Sequence, residues 1–165
     1  MRWIAISGSW RFESSELDKD LSHAIDKIIK NGDGIVSGGA LGVDYKATAK
    51  MMAANNWQKR IKIIIPTSLE IYKDHYYKRA DEGVITKQQA TDLIDQLVAI
   101  KTAGCLTELK YHKPEKRTYY ARNREIIKSA DELWAFQIND SLGVQDAVSH
   151  AREFGTKVKI WEYQV

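Results

Sequence analysis

A chain of 165 residues, 44% hydrophobic and 28% charged, has the size and balance of one globular domain with a substantial core. A net charge of +3 permits contact with phosphates but lacks the dense positive surface of a dedicated nucleic-acid binder, and a lone cysteine, Cys105, excludes an internal disulfide framework. No stretch approaches the roughly 18 apolar residues of a membrane span, and "MRWIAISGSW" is broken by Gly and Ser too early for a signal peptide, so a cytosolic protein without membrane contact is expected.

"RWIAIS" (2–7) reads as a buried strand. Ser14 or Ser15 can cap a helix to Lys30, with Leu17, Leu21, Ile25 and Ile28 on one face and Asn31-Gly32 as its stop. "GIVS" (34–37) is a second strand, and Gly42 opens a helix carrying Val43, Ala47 and Met51. "IKIII" (61–65) is a third strand, stopped by Pro66. Residues 69–82 are aromatic, charged and helical, with their tyrosines read as packing residues. "TKQQ" is a capping box, Thr86 with Gln89, opening a helix striped by Ala90, Leu93, Ile94, Leu97 and Val98. Residues 102–118 read as loop, and a helix runs from about Tyr120 to Ser129. "ELWAFQ" (132–137) is the fourth strand, "SLGVQDAVSHAREFG" a helix ended by Gly155, and "KVKIWEY" (157–163) the fifth.

Strands alternating with helices predict an α/β, Rossmann-like three-layer sandwich. Its expected sheet has five mainly parallel strands in the order 3-2-1-4-5, in a single domain over 1–165 with an extra helical insertion at about 67–118. The switch in winding direction then falls between the first and fourth strands, where such sheets hold ligands. It brings together "SGSWR" (7–11), "SGGALGVD" (37–44) and "QINDSLG" (137–143). Glycine permits close backbone approach, serine adds a donor, and helix N-termini favour anions. Three such loops predict a cradle for a phosphorylated ligand. A valine at Gly39 is expected to fill the space a phosphate needs. The motif GGxxG at 38–42 lacks the dinucleotide-binding spacing, which argues against a hydride-transfer enzyme. His23, His75, His112 and His150 show no metal-ligand spacing, so neither a metal nor a cofactor is expected.

The blocks "SGS-R", "VSGGALGVDYKA", "YYARNREIIKSADELWAF" and "NDSLGVQDAVSHAREFGTKV" together resemble the superfamily that joins DNA-processing protein A (DprA), the SLOG nucleotide sensors and the LOG phosphoribohydrolases. The resemblance spans most of the chain outside residues 67–118. It implies a cleft lined by Ser7, Gly8, Ser9, Ser37, Gly38, Gly39, Gly42, Asp44, Arg122, Asn123, Ser141 and Gly143. Trp10 and Arg11, on the first loop, and Asn139, on the third, are added as neighbours. "NDSLGVQD" stands where LOG hydrolases carry PGGxGTxxE, so their paired glycines, threonine and glutamate are missing. Asp146 is the nearest acid and a weak catalytic candidate, and the expectation leans away from an enzyme.

The expected function is binding of a nucleotide-like ligand, such as a nucleoside monophosphate, an ADP-ribose derivative or a cyclic nucleotide signal, as sensor or sequestering protein. The alternatives are DprA-like binding of single-stranded DNA, favoured by the basic run 110–125, and LOG-like hydrolysis of an N-glycosidic bond. The stripe with Leu93 and Leu97 exceeds what five short strands need to cover. A homodimer, or a lid over the cleft, is therefore expected there.

Overall fold

The computed structural model describes all residues, Met1–Val165. Its strands are β1 (Trp3–Gly8), β2 (Gly34–Ser37), β3 (Ile61–Ile65), β4 (Leu106–Glu108), β5 (Glu132–Ile138) and β6 (Lys157–Tyr163). The helices are α1 (Ser15–Lys30), α2 (Val43–Met51), α3 (Leu69–Asp81), α4 (Lys87–Thr102), α5 (Lys116–Lys128) and α6 (Leu142–Glu153).

The expected Rossmann-like architecture is present, with one strand more. The sheet has six strands in the order β4-β3-β2-β1-β5-β6, every pair parallel. The added β4 lies in the stretch read as loop and pairs Leu106–Glu108 with Ile63–Ile65. Three residues with one apolar side chain carry no legible period. The strand exists because the open edge of β3 supplies a partner for its backbone.

Alternation along the strands divides the core. Ile4, Ile6, Ile35, Ile63 and Ile65 pack on one face with residues of α1, α2 and α4. Ala5, Val36, Ile64, Leu133 and Ala135 pack on the other with α5 and α6. The chain therefore winds along one face through α4 and crosses to the other at α5, which puts the switch between β1 and β5.

Local signals explain most boundaries. Ser14 accepts from the Leu17 N–H at 3.1 Å and so starts α1. Thr86 and Gln89 form the reciprocal box that starts α4, at 3.0 and 2.8 Å. Helix α5 begins a turn earlier than its sequence suggests. Buried Thr118 accepts from the Glu115 N–H at 2.9 Å and donates to the Lys113 carbonyl at 2.8 Å, fixing the entry.

The apolar stripe of α4 is not surplus. Ala90, Leu93, Ile94 and Leu97 are buried in the main core and Val98 alone of the stripe is exposed, so this stripe is neither a dimer interface nor a lid. The insertion supplies its own covering helix: Tyr72 of α3, also fully buried, belongs to the same cluster.

Candidate functional site

A cavity of about 580 Å³ opens at the switch point. All three predicted loops reach it: Ser7, Trp10 and Arg11 from the first, Gly38 and Asp44 from the second, Gly143 from the third. Arg122 and Asn123 of α5 complete that wall.

Seven predicted residues lie elsewhere, each for an internal reason. Gly8 ends β1, where an added Cβ would collide with the side chain of Val43. Ser9 is buried, and its Oγ accepts from the Ile138 N–H at 3.1 Å, tying the first loop to β5. Ser37 is fully buried within β2. Gly39, with φ +66, would direct a Cβ to 2.9 Å from Ile65 Cγ2 and 3.0 Å from Ile63 Cγ2. A valine there would strike the core rather than fill a phosphate seat, so the expectation for that substitution is corrected. Gly42, with φ +74, lets the second loop approach the backbone of Ser9 and Trp10, 2.6 Å from its would-be Cβ. Asn139 Oδ1 accepts from the Val165 N–H at 3.1 Å, anchoring the last residue. Ser141 sits at the cap of α6 without a side-chain bond to the helix.

What the glycine knot approaches is thus the protein itself, and Gly38 shows it most directly. A Cβ there would fall 2.5 Å from the Arg122 guanidinium, whose Nη1 donates to the Gly38 carbonyl. Arg122 Nε donates to Asn123 Oδ1 at 3.0 Å, and the Tyr119 ring lies 5.3 Å from its guanidinium carbon. Arg122 is only 7% exposed, and neither of its acceptors is a carboxylate.

Asp44, in the first turn of α2, turns inward. Its Oδ2 accepts from the N–H groups of Gly38 and Ala40, both at 3.2 Å, and so occupies donors that an anion would otherwise take. Burial raises its pKa to about 6, although Arg122 and the two N–H groups pull the other way. Asp146 is not part of the cavity lining. It accepts from Asn123 Nδ2 at 3.0 Å, lies 3.4 Å from His150 Nε2, and holds Asn123 in place from behind.

At the third loop, α6 presents its N-terminus. Gly143 lines the cavity, and a Cβ built on it meets nothing within 4 Å. This is the glycine beside which a ligand has room, and the unpaired N–H groups of the first turn favour an anion there.

The opposite wall comes from the insertion. His75, Tyr76, Arg79 and Val84, from α3 and the turn after it, line the cavity together with Tyr119 and Tyr120 of α5. Sequence reasoning treated these tyrosines as packing, which holds for Tyr72 and for Tyr77, 3.3 Å from Thr91 Oγ1. The available signal was the concentration of aromatic and basic residues at 72–79. Tyr72 donates to the Gly39 carbonyl at 3.0 Å, leaving Tyr76, 3.3 Å away, to donate to Tyr72. Burial holds all three hydroxyls, Tyr72, Tyr76 and Tyr119, in the protonated donor form.

Neither a family model nor a curated protein matches this sequence. Among solved structures, DNA processing protein A from Helicobacter pylori, described for its single-stranded DNA binding mode, matches 96% of the chain with a TM-score of 0.72 and 23% identity. TM1055, a structural-genomics target, matches 96% with a TM-score of 0.58 and 15% identity. DprA from Streptococcus pneumoniae matches 96% with a TM-score of 0.52 and 22% identity. The chain spans 64% and 58% of the lengths of the two DprA chains and 72% of TM1055. The protein therefore has the Rossmann-like fold found in DprA, as its sequence blocks led one to expect.

Proposed function

We propose that this protein binds a phosphorylated, nucleotide-like ligand in the cavity between β1, β5 and the insertion. The observation that carries this reading is Arg122, a guanidinium buried at a cavity wall without a carboxylate partner. A buried cation that no carboxylate bonds directly is costly, and an anion arriving beside it offsets that cost. The lining holds four cations, Arg11, Arg79, Lys116 and Arg122, against two carboxylates, Asp44 and Glu115. The volume falls in the range of small-molecule sites, roughly 300–1,000 Å³. Tyrosines and Trp10 supply flat apolar surface for a base.

The test is calorimetry with the nucleoside 5′-monophosphates and ADP-ribose against the wild type and Gly143→Leu. That substitution adds a side chain where space is open and improves helix propensity, so thermal stability should hold. Affinity for the best ligand should fall at least about tenfold, the loss of one charge-assisted contact. Equal binding to both forms would place the ligand away from α6.

A second reading, single-stranded DNA binding, is favoured by one specific feature. Beside the cavity Arg117 lies over the Tyr111 ring at 5.7 Å, and in its lining Lys116 lies over the Tyr120 ring at 5.6 Å. Cations interleaved with aromatic rings suit a phosphate backbone with unstacked bases.

A further inference from the structure

Arg79 is a second cation of the cavity that the protein leaves without a partner. It projects from α3 into the lining, is half-buried, and makes no hydrogen bond or ion pair within the protein. The two carboxylates of the lining are both engaged elsewhere. Asp44 holds the Gly38 and Ala40 N–H groups. Glu115 pairs with Lys113 at 3.2 Å and Arg117 at 3.6 Å. Near Arg79 stands Tyr119, whose side chain lines the cavity with its hydroxyl next to that of Tyr76. The Arg122 guanidinium lies 5.3 Å from the Tyr119 ring, and Arg79 also acts electrostatically on the Tyr119 hydroxyl. His75, one turn before Arg79, is biased toward its neutral form by burial and by the charge of Arg79, so it adds a polar ring rather than a competing charge.

The two guanidiniums serve different parts of the cavity. Arg122 is directed to the loop side by its bonds to Gly38 and Asn123, near the N-terminus of α6. Arg79 approaches from the insertion, with Tyr76 and His75.

We propose that Arg79 and the Tyr119 hydroxyl form a second anion subsite, so that the ligand is a nucleotide carrying two separated phosphoryl groups. One group lies at Arg122 and the N-terminus of α6, the other at Arg79 and Tyr119, with the sugar and base between them against the tyrosine wall. This inference rests on the nucleotide-binding reading and names its ligand class. It also gives the insertion a role: α3 supplies Arg79, which together with Tyr119 of α5 distinguishes a bisphosphate from a monophosphate.

The experiment compares 3′,5′-bisphosphates of adenosine, guanosine, cytidine and uridine with the corresponding 5′-monophosphates by calorimetry. Wild type, Arg79→Gln and Tyr119→Phe are titrated in parallel, with melting temperature as the check on folding. The wild type should prefer a bisphosphate over its monophosphate by about tenfold or more, the worth of one charge-assisted hydrogen bond. Arg79→Gln should abolish that preference and Tyr119→Phe reduce it. If the wild type binds a monophosphate and its bisphosphate equally, the second subsite is overturned while nucleotide binding stands. If the preference persists in both variants, the second phosphate lies elsewhere and the assignment of Arg79 is wrong. If no nucleotide binds, the nucleotide reading itself fails and takes this inference with it.

Discussion

Asp44 is the residue where burial and charge conflict most plainly. Its carboxyl titrates at about 3.8 in an unfolded chain and about 6 in the folded protein, with desolvation the largest cause. Between these values the folded state holds a proton that the unfolded state has released. Stability from this group is therefore fully present below pH 4 and is lost as pH rises toward and through 6, by about 3 kcal/mol at most. An asparagine oxygen can accept the same two N–H groups without ionising. Asp44→Asn should flatten the dependence of stability on pH between 4 and 6 and leave the variant at least as stable as wild type at pH 7. Denaturant unfolding at pH 4, 5, 6 and 7 measures both slopes. Parallel slopes in the two proteins would mean that Asp44 ionises freely and that its burial costs little. The same residue bears on binding: an anion beside Arg122 meets the Asp44 charge, so proton uptake should accompany binding near pH 6.

At the scale of elements, α3 and α4 decide whether the insertion is decoration or core. Leu97 of α4 is fully buried, and its Cδ2 would be 3.2 Å from a Cβ placed on Gly39, so α4 packs directly behind the second loop. Gln96 Nε2 donates to the Tyr45 carbonyl at 3.1 Å, fastening the same helix to α2. Truncating Leu97 to alanine should cost about 3 kcal/mol, as deletion of a buried leucine side chain commonly does. Leu97→Asp should prevent folding, because it buries an unpaired charge. Circular dichroism melting separates these outcomes from the one expected of an interface residue. A folded Leu97→Asp protein, altered only in mass, would show that α4 faces another chain.

For the whole molecule, the cavity lies where the connections after β1 and β5 run to opposite faces of the sheet, and the parallel order brings three loops and helices α3 and α5 to that one end. No helix is long and apolar enough to cross a membrane. The DNA reading belongs to this scale because it extends from the cavity lining onto the charged surface around it. If single strands bind along the 110–125 run, affinity should fall steeply with salt, with a logarithmic slope of about −0.7 per phosphate contacted. Fluorescence anisotropy with a labelled oligonucleotide between low and high salt reads that slope. A shallow slope would favour a ligand held in the cavity. Pairing of two copies would require a surface other than the α4 stripe. Light scattering at micromolar concentration decides it, and the mass of a single chain would end the dimer expectation.

The sequence by itself determined the alternation of strands and helices, the parallel sheet and most helix boundaries. These rest on local physics. Apolar periods of two and 3.6, the hydroxyl of Ser14, the Thr86–Gln89 box and the left-handed Gly155 all act within a few residues. The three-loop convergence was legible too, because handedness and parallel order leave one arrangement. Only the tertiary structure decided what those loops do. Gly38 makes room for Arg122, 84 residues away, and Gly39 for isoleucines of β3. The strand β4 needed the edge of β3, and the wall with Arg79 and Tyr119 needed α3 and α5 to meet. Burial, and with it the raised pKa of Asp44, is set by neighbours distant in sequence, which no local pattern encodes.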